Sequence, residues 1–153
     1  MIELKTPEEL ERMRQAGAIV AGLLTHLEGL VAPGVKTKEL DAAARAFIQA
    51  SGAEPAFLGY RGFPATICVS VNDEVVHGIP GERVVKAGDV VSIDAGVKYR
   101  GFFSDAAVTV PVGRVSARAQ RLIDTTRQAL EEAIAMAKPA NRLSDISHAV
   151  QQT

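Results

Sequence analysis

The chain has 153 residues, which is long enough for one domain with a hydrophobic core. Its formal net charge of −1, from 17 basic and 18 acidic residues, gives no electrostatic reason to expect nucleic acid or an anionic membrane as a partner. Its single cysteine, Cys68, excludes an internal disulfide framework and a zinc site built on paired cysteines.

The beginning of the chain lacks the apolar segment of a signal peptide, and no apolar run approaches the roughly 18 residues of a membrane span. A lone cysteine fits a reducing compartment. We therefore expect a cytoplasmic protein that contacts no membrane.

Two helices are predicted first. Thr6 is a helix cap, Pro7 suits the first helical position, and Glu9 completes a capping box. Apolar residues then recur at helical spacing, which predicts one buried stripe. The stripe consists of Leu10, Met13, Ala16, Gly17, Val20, Leu24 and Leu27. A second helix is predicted from Thr37 to Ser51.

Short β-rich runs follow the helices. Runs 66–71 and 74–77 are separated by Asn72-Asp73, which is typical of a tight hairpin because asparagine tolerates a positive φ. A second strand pair is predicted from 90–97 and 102–110, around a turn at Tyr99-Arg100.

The last part of the chain is again helical. Ser116 caps a long helix that Pro139 closes, and Ser144-Asp145 starts another. The apolar stripe of the long helix consists of Ala119, Leu122, Ile123, Thr126, Leu130 and Ile134. This order of elements predicts an α+β fold, an antiparallel sheet covered by helices, in a single domain of residues 1–153. The last helix fits either a short terminal helix or a parent chain that continues.

Asp94 and Asp105 indicate the chemistry. A turn at Tyr99-Arg100 places them directly opposite each other on one face of the sheet, with Cβ atoms roughly 4.5–5.5 Å apart. Two ionised carboxylates at about 5 Å repel by roughly 3 kcal/mol at an effective dielectric near 20. A divalent cation would offset this repulsion. A shared proton, neutralisation by Lys98 and Arg100, or a bulge that separates the two carboxylates would relieve it as well.

His77 is the third candidate, because it precedes the rigid turn 78–80 at a strand end, a common place for an acid–base group or a donor to a substrate. A turn histidine satisfied by the backbone is the alternative. His26 and His148 lie in helical segments without a partner at metal-ligand spacing, and we interpret them as non-functional. Cys68 is typical of a small core residue rather than a nucleophile.

Ordered motifs run through nearly the whole chain. They are KTPEE at 5–9, APGV at 32–35, FLGYRGFP at 57–64, CVSVNDEVVHGIP at 68–80, GDVVSID at 88–94, DAAVTVPVG at 105–113 and NRLSDI at 141–146. Together they resemble the type I methionine aminopeptidase family, of the pita-bread fold, in which two similar α+β halves share one site.

The resemblance implies removal of the initiator methionine from nascent polypeptides by two divalent ions, which could be Co, Mn, Fe, Zn or Mg. It implies that Asp94 binds one ion through both oxygens, that Asp105 bridges the pair, and that the ions activate a water. His77 would be the catalytic and substrate-binding residue, positioning or protonating the substrate. The implied wall of the methionine pocket consists of Phe57, Tyr60, Phe63 and Cys68.

Three features depart from the family pattern. Arg61 stands where histidine is usual, and Ala140 stands where glycine is usual. The third is length, because the family completes its metal set with a histidine and two glutamates, and adds a second active-site histidine, from a second half. We therefore expect the N-terminal half of the catalytic domain, carrying part of the site.

Two arrangements would complete such a half site. The chain could be a fragment that needs a complementing C-terminal half, or a metal-dependent homodimer that brings four aspartates and two copies of His77 together. Beyond nascent chains, the ribosome is an expected partner. A non-catalytic relative that binds peptides or the ribosome is the alternative function, and retention of both aspartates and of His77 argues against it.

Overall fold

The computed structural model describes residues 4–153, and the described backbone confirms the α+β fold. The elements are α1 Pro7–Glu28, α2 Thr37–Ala50, β1 Glu54–Pro55, a 3₁₀ turn at Tyr60–Gly62, β2 Ile67–Val71, β3 Val90–Tyr99, β4 Phe102–Pro111, α3 Ala117–Met136 and α4 Leu143–Gln152. The chain divides into two compact units, Met1–Arg114 and Val115–Thr153, and the single domain stays a prediction. Within residues 4–153, no helix has both the length and the apolar character needed to cross a membrane.

Side-chain caps explain where the long helices begin. The Thr6 hydroxyl accepts a hydrogen bond from the backbone N–H of Glu9 at 3.2 Å, and the Glu9 carboxylate accepts one from the N–H of Thr6 at 2.8 Å. The predicted capping box is therefore confirmed. The Ser116 hydroxyl likewise accepts from the N–H of Ala119 at 3.1 Å, so α3 also begins where predicted.

The sheet is antiparallel, and its two faces differ. β3 pairs with β4 on one side and with β2 and β1 on the other. Odd-numbered residues of β2, and those of β3 from Val91 to Val97, are buried and form one core with α1 and α2. The largest buried members include Leu23, Leu27, Leu40, Ile48, Ile67, Val91, Ile93 and Val97. Because side chains alternate along a strand, even-numbered residues such as Cys68 and Asp94 lie on the opposite face, away from these helices.

The predicted hairpin of 66–71 with 74–77 is wrong. Only its first strand forms, and that strand pairs with β3. Asn72 does adopt a positive φ of 63°, but the turn is closed by Glu74, whose carboxylate accepts a hydrogen bond from the N–H of Val71 at 2.8 Å. Val75 and Val76 are exposed and pack against no sheet, so the segment forms a loop although valine favours strands.

The apolar stripe predicted on α3 is mostly exposed. Ile123 is buried, but Leu122, Leu130 and Ile134 are all more than half exposed. The stripe of α1 is buried at most of its positions, although Leu10 near its start is 48% exposed. Periodicity therefore predicted both helices correctly but overestimated how many residues of each apolar stripe are buried.

Candidate metal centre

The β3–β4 hairpin turns at Arg100-Gly101, one residue later than predicted. Both residues have a positive φ, 49° and 85°, as a type I′ turn requires, and glycine adopts such a φ at no steric cost. The resulting register pairs Asp94 with Ala107 and Asp105 with Gly96. Direct opposition of the two aspartates is therefore wrong.

The two aspartates nevertheless lie on the same face of the sheet. The residue opposite Asp94 is Ala107 and not the predicted Asp105, so the register differs by two residues. A shift of two residues leaves every side chain of β4 on the predicted face of the sheet. Pairing is continuous from Val90 to Tyr99, so no bulge moves either carboxylate to the other face. Asp94 and Asp105 are diagonal neighbours on this face, and their carboxyl groups are close enough to share a hydrogen bond when Asp94 is protonated.

The carboxylate of Asp94 is in an unfavourable environment for a negative charge. The pKa of Asp94 is raised to about 6, mainly by burial and next by the charge of Asp105. A hydrogen bond that only protonated Asp94 could donate to Asp105 adds to the rise, and the charge of His77 opposes it. Asp94 Oδ1 is buried and has no hydrogen-bond partner among residues 4–153. A buried carboxylate oxygen without a donor costs free energy, which a bound cation would remove.

The basic residues of the turn do not neutralise the pair. Lys98 Nζ lies 3.5 Å from Glu54 Oε2. Arg100 Nη1 donates to Gln15 Oε1 at 3.3 Å, and its guanidinium lies 5.1 Å from the centroid of the Tyr99 ring. In the described part of the chain, no lysine or arginine forms an ion pair with either aspartate. Neutralisation by Lys98 and Arg100 is therefore wrong, and the carboxylate pair fits a cation.

All the predicted site residues line one cleft of about 690 Å³. They are Phe57, Tyr60, Phe63, Cys68, His77, Asp94 and Asp105. The cleft is also lined by Arg61, Ile79 and Phe103, which we did not predict as site residues. Phe103 precedes Asp105 by two residues on β4, so the period of a strand could have identified it. Arg61 and Ile79 lie outside the strands, where periodicity carries no such signal.

Cys68 forms part of the cleft wall beside the carboxylates. It pairs with Asp94 across β2 and β3, and its side chain is buried. Burial, followed by the charges of Asp94 and Asp105, raises the pKa of the Cys68 thiol to about 11. A thiol held in its neutral form is a poor nucleophile, so the chemistry of Cys68 agrees with a wall residue.

His77 is carried by a loop that is held closely against β2. The carbonyl of Gly78 accepts a hydrogen bond from the N–H of Val69 at 2.9 Å, and the N–H of Gly78 donates to Ser70 Oγ at 3.1 Å. A Cβ at Gly78 would lie 2.2 Å from the Val69 carbonyl oxygen, so only glycine allows this approach. His77 itself has a φ of 59° and is exposed at the rim of the cleft.

The remaining wall is a compact turn that connects β1 to β2. The N–H of Gly59 donates to the carbonyl of Phe63 at 2.8 Å, and the N–H of Tyr60 donates to the carbonyl of Phe57 at 3.0 Å. The guanidinium of Arg61 lies 5.5 Å from the centroid of the Tyr60 ring. Through this turn, three aromatic side chains and the guanidinium of Arg61 contribute to the wall of the cleft.

The donor set for a metal is partial. In residues 4–153, no group of three or more His, Cys, Asp or Glu side chains is placed to hold an ion. Asp94 and Asp105 can supply hard oxygen ligands, and further ligands would have to come from outside the described residues.

Comparison with known proteins places this fold and donor set in a family. The family model described as metallopeptidase family M24 matches residues 11–153, and the chain belongs to that family. The chain is 53% identical over 153 residues to methionine aminopeptidase 1 of Bacillus subtilis strain 168, and 48% identical over 152 residues to a methionine aminopeptidase of Clostridium perfringens. The predicted resemblance is thereby confirmed.

A solved structure agrees with these relatives. The crystal structure of methionine aminopeptidase from Thermotoga maritima superposes with a TM-score of 0.96 and 43% sequence identity. It matches 99% of this chain, as the two relatives do, and in each of the three the chain spans about 61% of the other protein's length. Membership of a metallopeptidase family implies metal ions.

Proposed function

We propose that this chain supplies the metal-binding aspartates and the substrate histidine of a methionine aminopeptidase, which removes the N-terminal methionine from nascent polypeptides. The observation that carries the proposal is the pair of carboxylates on one sheet face of an apolar cleft, with Asp94 Oδ1 buried and lacking a partner among residues 4–153. Similarity to methionine aminopeptidases over 99% of the chain supports it.

Asp94 and Asp105 are proposed to hold two divalent ions from this side of the site. Carboxylate oxygens suit Co, Mn, Fe, Zn and Mg, so the two aspartates do not select one of them. When bound, the ions would supply a nucleophilic water at neutral pH and a Lewis acid for the scissile carbonyl. The half-buried position of Asp94 limits the screening of its charge by water, which strengthens its attraction for a cation.

His77 is proposed to act directly on the substrate. Its imidazole lies at the rim of the cleft, where it can donate a hydrogen bond to the substrate backbone and hold or move a proton there. The methionine side chain would lie against Phe57, Tyr60, Phe63 and Cys68, because an apolar and polarizable wall suits a thioether.

The test is release of methionine from a Met-Ala-Ser peptide, with and without Mn²⁺, by the chain and by the chain mixed with the C-terminal part of a relative. We expect the chain or the mixture to release methionine only with metal, and we expect Asp105→Asn to abolish this release. The substitution keeps the shape of the side chain and removes its charge. Asp124→Asn, a matched change on an exposed face of α3, should retain turnover. Turnover that survives EDTA, or that persists in Asp105→Asn, would contradict the proposal.

The incomplete donor set gives two ways to finish the site. A complementing C-terminal half would add its own ligands, whereas a homodimer would bring a second copy of Asp94 and Asp105. Carboxylates from two copies would repel each other without metal, so a homodimer should form with Mn²⁺ and dissociate in EDTA. Gel filtration in both conditions separates the two, because a monomer throughout excludes the homodimer.

A non-catalytic binding relative is the second candidate, and the incomplete donor set in residues 4–153 favours it. It predicts tight binding of methionyl peptides without turnover in any mixture. In either case the proposed partners are nascent chains and the ribosome, and the proposed location is the cytoplasm. Co-sedimentation with translating ribosomes, compared with empty ribosomes, tests the partners.

A further inference from the structure

We propose that Gly96 sets the depth of the pocket for the N-terminal side chain, by allowing the ring of Phe57 to lie close against β3; this rests on the proposed function. A Cβ at Gly96 would lie 2.5 Å from Phe57 Cε1 and 3.1 Å from Phe57 Cδ1. The φ of Gly96 is outside the left-handed region, so the backbone itself does not require glycine here. The glycine is needed for the space that the ring occupies.

The ring of Phe57 covers the part of the sheet that carries the proposed ligands. Gly96 pairs directly with Asp105 and lies two residues from Asp94, on the same face of β3. Phe57 lines the cleft together with both carboxylates. The ring therefore lies between Gly96 and the cleft.

An added methyl group at position 96 would press mainly on the ring of Phe57, whose Cε1 is the nearest atom, and less on Ala56 Cβ, which would lie 3.1 Å away. The N–H of Ala56 donates to the carbonyl of Gly96 at 3.0 Å, which fixes the backbone just before Phe57. The strand blocks movement of the ring in one direction, so it must move away from β3 and into the cleft. Restoring an ordinary carbon–carbon contact of about 3.5 Å requires a displacement of about 1 Å.

A shallower pocket should discriminate by side-chain length. One chain atom more or less in an apolar pocket changes affinity by roughly 10-fold to 200-fold. Gly96→Ala should therefore weaken binding of the long methionine side chain and leave shorter unbranched side chains nearly unaffected. Gly96 acts through Phe57 and is a positioning residue.

The experiment is calorimetric titration of the chain, in buffer with Mn²⁺, with methionine amide and with norvaline amide, which is one chain atom shorter. In the unsubstituted chain we expect methionine amide to bind more tightly. In Gly96→Ala the ratio of the two affinities should fall by about 10-fold. The double variant Gly96→Ala with Phe57→Leu should restore it. Gly29→Ala, whose Cβ would meet nothing closer than 3.5 Å, is the matched control and should leave the ratio unchanged.

Equal weakening of both amides in Gly96→Ala would overturn the proposal, because general destabilisation does not depend on ligand length. Failure of Phe57→Leu to restore the ratio would also overturn it. If Gly96→Ala does not fold, Phe57→Leu alone decides: it should improve binding of the longer ethionine amide by about 10-fold, and no change refutes the proposal. Absence of binding by the unsubstituted chain, both alone and mixed with the C-terminal part of a relative, refutes the proposed function as well, whereas an unchanged ratio in Gly96→Ala refutes the role of Gly96 alone.

Discussion

Replacing Asp94 with asparagine should make the metal-free protein more stable at neutral pH. The substitution keeps the size of the side chain and removes the charge that burial and Asp105 both oppose. The new amide can also donate a hydrogen bond to Asp105, which an ionised Asp94 cannot do. The same substitution should abolish stabilisation by Mn²⁺, because it removes a proposed ligand.

The magnitude follows from the pKa of Asp94, which rises from an ordinary value of 3.8 to about 6. A rise of about two units corresponds to roughly 3 kcal/mol between the two protonation states. Asp94 is only half-buried, and solvent screening reduces the expected gain in unfolding free energy to about 1–2 kcal/mol.

The pH dependence has a definite sign. Because the folded-state pKa of Asp94 is raised, the folded protein holds the ionised carboxylate at a cost that is fully present above pH 6 or so, and absent below the unfolded pKa of 3.8. The unfolding free energy of the unsubstituted chain should therefore fall, relative to Asp94→Asn, as the pH rises between these values.

Urea unfolding of both proteins, in EDTA and across this pH range, measures the difference. The gap in unfolding free energy should widen by about 1–2 kcal/mol from acidic to neutral pH. A repeat with Mn²⁺ at about 100 times its dissociation constant should stabilise only the unsubstituted chain, by about 2.7 kcal/mol. A gap that does not change with pH, or an Asp94→Asn protein that is less stable at neutral pH, would refute the electrostatic reasoning.

Two further outcomes follow from contacts in the cleft. Gly78→Ala should lower the unfolding free energy, measured by urea unfolding, by about 2–3 kcal/mol, because its Cβ would lie 2.2 Å from a carbonyl oxygen of β2. Gly81→Ala is the control and should be almost neutral, because the nearest atom to its Cβ is 4.0 Å away. Equal effects of the two substitutions would contradict the close packing at Gly78. Cys68 should react with iodoacetamide at neutral pH at least about 10-fold more slowly than free cysteine. Its pKa of about 11, against an ordinary 9.0, lowers the thiolate fraction about 100-fold, and the greater nucleophilicity of a more basic thiolate returns part of this loss. Labelling followed by mass spectrometry measures the rate, and modification as fast as that of free cysteine would contradict both the burial and the raised pKa.

The helices could be predicted because their signals are local. Thr6 and Glu9 are three residues apart, and their reciprocal hydrogen bonds depend on no distant part of the chain. Ser116 acts in the same way at the start of α3. Burial of the helix faces was less predictable, because it depends on which other elements cover them.

The register of the sheet could not be predicted from the strand runs alone. Tyr99-Arg100 and Arg100-Gly101 both fit between the two strands, and only the need for two consecutive positive φ angles selects the second. The same-face relation of Asp94 and Asp105 survived this error, since the register changed by an even number of residues. The prediction of a strand at 74–77 was wrong for a related reason: a β-rich segment forms a strand only if another strand is available to pair with it.

Alternate residues of β3 face separate environments, and this affects how the strand would tolerate mutation. Val91, Ile93 and Val97 are fully buried on the helix side, whereas Asp94 lines the cleft and Gly96 lies on the same face as Asp94, beneath Phe57. In a saturation library of this strand, selection for expression level alone should restrict mainly the odd-numbered positions, and selection for ligand capture should add restrictions at the even-numbered ones. Alternate positions of this ten-residue strand would thus be under two different selections, one for stability and one for ligand binding.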